Sequence, residues 1–334
     1  MPNEFYMNLA LEKAWKYQLL TYPNPSVGAV LLDRSDRLVA VAAHEKAGEA
    51  HAEINAFRGA FCELCPDDPK IAELRALQSS AEIHNFLRKN HNGIFGGSTL
   101  FVTLEPCAID GKTPACAPLI ADLGVKKVVF GQGDPTNAAG GGAYLHKRGV
   151  KVVRGVLAKE CDALLEPFKI WQKRAFVLFK WAQRLNATID EGKISCDLAL
   201  DETHKLRSLC DLLAIGGNTA RIDRPILDAR RINGRAPNVL IVSRREDSDR
   251  SIPLFNVENR SVRIAPTFEA DYGFVLIEGG SGLLNALADR IDWFLCYQSL
   301  ALSGGKQSID FNRSLELLHS DAIGDHLKLW LKIG

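Results

Sequence analysis

No run of the 334 residues approaches eighteen consecutive apolar positions, so no stretch reads as a membrane-spanning helix. The opening MPNEFYMNLALEKAWKY has neither the basic start nor the apolar stretch of a secretory signal, and the expected compartment is the cytoplasm. Charge of one sign is also missing. With 41 basic and 40 acidic residues the formal net charge is +1, which gives no electrostatic reason to expect nucleic acid or a membrane surface as partner. Any anionic ligand must then be met by local charges. By eye, no internal repeat relates the two halves. In a reducing compartment the eight cysteines are expected as thiols, which argues against a disulfide between Cys107 and Cys116.

Two familiar nucleotide signatures fail as well. Gly111-Lys112-Thr113 resembles the end of a phosphate loop, but the required glycine five residues earlier is Pro106. GQGDPTNAAGGG misses the dinucleotide fingerprint because Thr136 stands where the third glycine belongs.

What is present is a globular composition, 46% hydrophobic and 24% charged, in a chain long enough for two domains. Helical and strand-like signals alternate, which predicts an α/β architecture. Phe5, Leu9, Leu11, Trp15 and Leu19 have helix-like spacing over residues 4–20, stopped by Pro23-Asn24-Pro25. VGAVLLD and RLVAVAAH read as a hairpin around Arg34-Ser35-Asp36, and AHAEINAFRGAF as a helix. STLFVTLE, KKVVFG and VKVVRG follow as strands, separated by the helical APLIADLG and by a Gly-rich loop with a short helix after it. Residues 61–97 look like an insertion in which 71–90 form one helix. Cys62 and Cys65 at its edge make a lone CxxC without a second pair, read as structural thiols. The helical stretch 156–174 places a boundary near 170, giving domains 1–170 and 171–334. AFVLFKWA opens the second, followed by LCDLLAIGG, NVLIVS, SVRIAP, GFVLIEGG and IDWFLCYQ.

The chemistry concentrates in the first half. His51-Ala52-Glu53 opens a helix, Pro106-Cys107 follows a strand, and Cys116 lies nine residues further on. One imidazole and two thiolates suit a catalytic zinc with its fourth position left for water, while Glu53 is placed to shuttle that water's proton. The order matches the zinc-deaminase signature H-x-E with P-C, although the second spacing is C-x8-C rather than C-x2-C.

Through PNPSVGAV, HAE, VTLEPC, GKTPAC and GDP in that order, the first half resembles the deaminase half of the bifunctional riboflavin-biosynthesis deaminase/reductase family. The second half resembles that family's reductase through FKWAQRLN, LRSLCDLLAIGGNTARIDRPILDAR and LIEGGSGL. The resemblance implies an N-terminal cytidine-deaminase-like α/β/α sandwich and a C-terminal dihydrofolate-reductase-like domain. It implies zinc on His51, Cys107 and Cys116, Glu53 as proton shuttle, and Asn24, His44, Lys112 and Asp134 as deaminase substrate contacts. Lys180, Gly216, Gly217, Thr219, Gly279 and Gly280 match positions near an NADPH cofactor. Arg207, Asp223, Leu227, Arg230 and Glu278 match the reductase substrate pocket, where arginines are suited to hold a phosphate in bidentate fashion. The chain departs from the family at Ile109, where a histidine is usual, at Thr136, which interrupts D-P-N, and over 183–196, where extra residues leave Ser195 unassigned.

The implied activity is hydrolytic deamination of a diaminopyrimidinone ribosylamino 5'-phosphate, then NADPH-dependent reduction of the ribosyl group to ribityl. The implied partners are small-molecule pyrimidine ribosylamino phosphates, with a homo-oligomer left open. Two rival readings stand beside this one: a single-activity nucleobase deaminase whose second half has lost reduction, and a non-enzymatic zinc- or nucleotide-binding regulatory module. A structural zinc would need a fourth protein ligand, with Cys62 or His44 the candidates through space.

Overall fold

In a computed structural model that describes residues 3–136, 140–190, 192–245, 249–271, 273–302 and 304–334, the chain divides into two compact units, Met1–Lys169 and Ile170–Gly334. Asn137 and Glu191, in two of the segments where the chain departs from the family, lie outside the described residues. Among the described residues no helix is long and apolar enough to cross a membrane.

The first unit begins with α1 (Asn3–Trp15), β1 (Gly28–Leu32), β2 (Leu38–Ala43) and α2 (Ala52–Leu64). It continues through α3 (Lys70–Ala76), α4 (Ser80–Asn90), β3 (Thr99–Leu104), α5 (Cys116–Asp122), β4 (Lys127–Gln132), α6 (Gly141–Lys147), β5 (Lys151–Arg154) and α7 (Ala158–Trp171). Its five strands are ordered β2-β1-β3-β4-β5, with β1 antiparallel to both neighbours and β3, β4 and β5 parallel. β1 and β3 are buried along their whole length, as their continuous apolar runs require of strands covered on both faces. Side-chain alternation divides them between two layers. Ala29, Leu31, Leu100 and Val102 join the core built around α2, while Phe101 turns to the other face and meets the Tyr6 ring of α1 at 5.2 Å.

Helix α1 ends at Trp15, earlier than its sequence spacing predicts, and buries Met7, Ala10, Leu11, Ala14 and Trp15, while Phe5 is half exposed. It lies so close to β1 that a Cβ at Gly28 would stand 1.8 Å from the Ala10 carbonyl oxygen. Only glycine fits this backbone approach. The substitution Gly28→Ala is therefore expected to destabilise the first unit by about 1–3 kcal/mol, read as a lower urea midpoint. An unchanged midpoint would show that α1 slides away without cost.

The single helix expected over 71–90 is instead two, α3 and α4. Ser79 interrupts it by accepting from the Glu82 N–H at 3.4 Å, while the Glu82 carboxylate accepts from the Ser79 N–H at 3.3 Å. This reciprocal capping box satisfies two donors at a new helix start, which favours a break over continuation.

The second unit comprises β6 (Phe176–Arg184), α8 (Asp197–Leu209), β7 (Leu212–Gly216), α9 (Gly217–Asp223), β8 (Asn238–Val242), β9 (Val262–Ala265) and β10 (Phe274–Glu278). After these come α10 (Ser281–Leu287), β11 (Trp293–Ser299), β12 (Leu315–Ile323) and β13 (His326–Ile333). The eight strands run β12-β13-β11-β6-β10-β7-β8-β9. From β11 to β9 all neighbours are parallel, whereas β12 and β13 form an antiparallel hairpin added at one edge. That hairpin has no counterpart among the strands expected from the sequence. The central strand β10 is apolar and buried from Phe274 to Ile277 and delivers Glu278 at its carboxyl end, the edge of a parallel sheet where ligands gather.

Candidate functional site

In the first unit two helix starts and one strand end converge. His51 immediately precedes α2, Cys107 follows the end of β3 by three residues, and Cys116 is the first residue of α5. His51 Nδ1 lies 3.7 Å from Cys107 Sγ and 3.4 Å from Cys116 Sγ. A tetrahedral zinc with ordinary Zn–S and Zn–N bonds has an S···N edge of about 3.6 Å, so the three donors already stand as three corners of its polyhedron. His51 Nε2 sits 3.1 Å from Thr113 Oγ1, so donation there leaves the Nδ1 lone pair facing the sulfurs. The α5 start also favours anionic sulfur. The Cys116 N–H donates to Cys107 Sγ at 3.3 Å, and the Ala117 N–H to the Cys107 carbonyl at 3.0 Å.

Electrostatics support the same reading. The hydrogen bond from the Cys116 thiol, helped by His51 and opposed by burial, brings the Cys107 thiol down to about 4, while that thiol–thiol bond and burial push Cys116 up. The two sulfurs therefore hold one proton between them, which a soft cation would displace. Burial alone would lower His51, but Cys107 and Glu53 outweigh it and raise it. Burial raises the Glu53 carboxyl, giving it the readiness to hold a proton that a shuttle needs.

This cluster opens on a cavity of about 190 Å³ whose walls include Asn24, His44, His51, Glu53, Cys107 and Asp134. Asn24 Nδ2 and His44 Nε2 are 3.1 Å apart, and His44 Nδ1 is 3.1 Å from the Ala50 carbonyl. Because a carbonyl only accepts, Nδ1 carries the proton and Nε2 accepts from Asn24; burial brings His44 down to about 4 and keeps it neutral. Lys112 lies in the exposed loop before α5 and does not line the cavity, and neither does Ile109, 58% exposed. Thr136 does line it, and its N–H and hydroxyl both donate to Asp134 Oδ1, at 2.8 and 2.6 Å. His44 and Cys62 do not complete a closed zinc sphere: among the described residues only His51, Cys107 and Cys116 cluster here.

Two contributors were missed by the sequence reading. Glu105 lines the cavity and accepts from Gly142 N–H at 2.8 Å and Asp134 N–H at 3.4 Å, so one carboxylate ties the Cys107 loop to two others. Thr113 orients His51. The first stands one residue from the Pro-Cys motif and the second inside Gly-Lys-Thr, but their partners become neighbours only through the fold.

The second unit holds a cleft of about 1890 Å³. Lys180, Gly216, Gly217, Thr219, Gly279 and Gly280 all line it, as do Arg207, Asp223, Leu227, Glu278 and the unassigned Ser195. Arg230 does not line it and instead bonds Asp228 at 3.1 and 3.2 Å. Arg207 faces the cleft, but not as a free fork: its Nε and Nη2 donate to Glu278 Oε1 and Oε2 at 2.6 and 2.8 Å. The Nε edge is therefore taken by Glu278, and an anion would have to be met through Nη1 and the remaining Nη2 hydrogen. Lys180 Nζ is a further cation 3.9 Å from Glu278. Burial alone would raise Glu278, but Arg207 and Lys180 outweigh it and hold the carboxyl at about 2. Leu227 meets the cleft with φ 55, a left-handed backbone that a non-glycine residue keeps only where the surroundings over-determine it. Arg221 Nη1 is buried without a hydrogen-bond partner and its side chain belongs to the cleft wall.

Comparison with known proteins agrees with this geometry. Residues 1–132 match the family model for the cytidine and deoxycytidylate deaminase zinc-binding region. The chain is 31% identical over 324 residues to the riboflavin biosynthesis protein RibD of Mycobacterium tuberculosis, covering 90% of this chain and 85% of that one. It is 29% identical over 320 residues to RibD of Corynebacterium ammoniagenes, covering 89% and 86%. A Thermotoga maritima crystal structure described as a diaminohydroxyphosphoribosylaminopyrimidine deaminase/5-amino-6-(5-phosphoribosylamino)uracil reductase superposes over 99% of both chains, with TM-score 0.65 and 26% identity. Its match spans both units, the first of which carries the zinc-binding deaminase region. With relatives at 31% and 29% identity matched over 85–90% of both chains and a solved structure matched over 99%, the chain belongs to the bifunctional riboflavin-biosynthesis deaminase/reductase (RibD) family.

Proposed function

We infer that the chain carries out two consecutive steps of riboflavin biosynthesis, deaminating a pyrimidine ribosylamino phosphate in the unit before residue 170 and reducing its sugar in the unit after it. The observation that carries this reading is the His51, Cys107 and Cys116 triangle opening on a cavity with Glu53 beside it. A closed four-ligand site would have favoured a structural metal. Three donors and an open face favour catalysis.

Zinc at this triangle would supply Lewis acidity that makes water nucleophilic at neutral pH. Glu53 takes the proton from the attacking water and returns it to the departing amine, a role that its raised carboxyl and its place one residue into α2 support. Asn24, held by neutral His44, presents an amide to the pyrimidine edge, and Asp134 lines the same cavity. Lys112, outside the cavity, is assigned no direct contact with the ring.

NADPH bound in the second cleft would supply the hydride. Lys180, Thr219 and the four glycines wall that cleft, and the buried, unpartnered Arg221 Nη1 suits an anionic part of cofactor or substrate. Glu278 is held ionised by Arg207 and Lys180, so its role is to position cations and not to donate a proton. Asp223, whose carboxyl burial raises, is the better candidate for proton transfer.

Zinc content tests the ligand assignment. Cys107→Ser is expected to lose the tightly held zinc and with it ammonia release, while reduction of pre-deaminated substrate persists. Full retention of tightly held zinc in that variant would refute the ligand set.

A further inference from the structure

A second cluster of metal-binding side chains lies in the second unit, away from the zinc triangle. Among the described residues, ligand atoms of Cys196, Asp325 and His326 all lie within 4.8 Å of one another. His326 is buried, and its Nε2 stands 2.7 Å from the Ile194 carbonyl oxygen. Since that oxygen only accepts, Nε2 carries the hydrogen and the second lone pair belongs to Nδ1. Nδ1 in turn is 2.7 Å from Asp325 Oδ1, also an acceptor. That distance is a hydrogen bond's, and turning the exposed Asp325 carboxylate widens it toward the N···O edge of about 3.3 Å that a tetrahedral ion needs. A histidine anchored through one ring nitrogen to a backbone carbonyl, with the other aimed at a carboxylate and a sulfur, has the arrangement of a metal ligand.

We propose that Cys196, Asp325 and His326 form a second, surface-accessible site for a zinc-class divalent ion. The cluster joins two elements. Cys196 precedes α8, while Asp325 and His326 follow Gly324 at the β12–β13 turn, where a Cβ on Gly324 would stand 3.3 Å from Cys196 Sγ. Its sulfur lies 3.3 Å from the Ile323 carbonyl, to which the uncharged thiol donates. Residues 192–195 immediately before it line the reductase cleft. Binding releases the Cys196 thiol proton to solvent, together with the Nδ1 proton wherever the imidazole is charged, and places the ion on Sγ, Nδ1 and a carboxylate oxygen. One sulfur, one nitrogen and one oxygen suit zinc or cobalt(II) better than calcium or magnesium. Because Asp325 is exposed, its carboxylate can rotate to close the polyhedron. Metal binding therefore fastens the hairpin turn to the segment that walls the cleft.

Full-length protein already holding its tightly bound zinc is titrated with cobalt(II). The expected result is one further equivalent with a sulfur-to-cobalt band in the near ultraviolet and slower amide exchange over 192–196. Cys196→Ser is expected to lose the band, and Asp325→Asn, which changes only an exposed side chain, to weaken binding by about tenfold or more. No further equivalent in the wild type would overturn the proposal and leave a plain hydrogen-bonded His326–Asp325 pair. An unaltered band in Cys196→Ser would overturn it as well.

Discussion

Glu53→Ala is expected to lower the rate of ammonia release by about 10²–10⁴-fold while leaving zinc content and the reductase rate on pre-deaminated substrate unchanged. The expectation rests on position and on environment. Glu53 shares the first turn of α2 with the ligand-bearing start of that helix, and it lines the same cavity as His51 and Cys107. Burial makes its proton harder to lose than that of an ordinary glutamate. Among the described residues no second carboxylate is equally placed: Glu105 lines the cavity but is engaged by the Gly142 and Asp134 amides, and Asp134 Oδ1 is occupied by Thr136. A deamination rate close to wild type in this variant would transfer the proton work elsewhere.

Arg207→Leu is expected to destabilise the second unit by about 3–5 kcal/mol, because it strands a buried carboxylate whose remaining cation, Lys180, is 3.9 Å away. The pH dependence gives the same scale. Lowering Glu278 from 4.5 to about 2 corresponds to roughly 3 kcal/mol at about 1.4 kcal/mol per pKa unit. A depressed carboxyl contributes fully above its unfolded value and loses its contribution as pH falls through its folded value. The stability gap between wild type and Arg207→Leu therefore narrows as pH falls from 4.5 toward 2, measured on the second unit's urea transition. A gap that stays the same down to pH 2 would show that the variant fails by lost packing and not by an unpaired charge.

The clustering of His51, Cys107 and Cys116 was legible in the sequence because each sits at a local landmark: His51 at a helix start, Cys107 after Pro106 at a strand end, Cys116 at the next helix start. The alternating strands were legible for a similar reason, since β1, β3 and β10 are apolar runs bounded by polar residues. The break between α3 and α4 had a signal too, Ser79 followed three residues later by Glu82, but the apolar spacing across 71–90 masks it. The β12–β13 hairpin was passed over: Leu327, Leu329, Leu331 and Ile333 alternate as in a strand, but the leucine, lysine and glutamate of this stretch carry little strand preference, and pairing with β11 supplies what propensity lacks. Arg207 shows the deeper limit. Its residue type suggests phosphate, whereas its partner Glu278 is 71 positions away and only the sheet brings the two together.

Ligand-like residue types also proved weaker guides than their surroundings. Lys112 and Arg230 have the charge to hold a phosphate, yet the first lies on an exposed loop and the second is bonded to Asp228 outside the cleft. Arg221 was unassigned and faces the cleft with a buried, unpartnered nitrogen.

Product analysis with the diaminopyrimidinone ribosylamino 5'-phosphate, run with and without NADPH on the full-length protein, tests the two-step account most directly. The account predicts ammonia release in both conditions, and with NADPH present one cofactor oxidised per ammonia, giving the ribityl product. Ammonia without any NADPH oxidation would reduce the chain to a deaminase with an idle second unit. No ammonia in either condition would contradict the account at its first step.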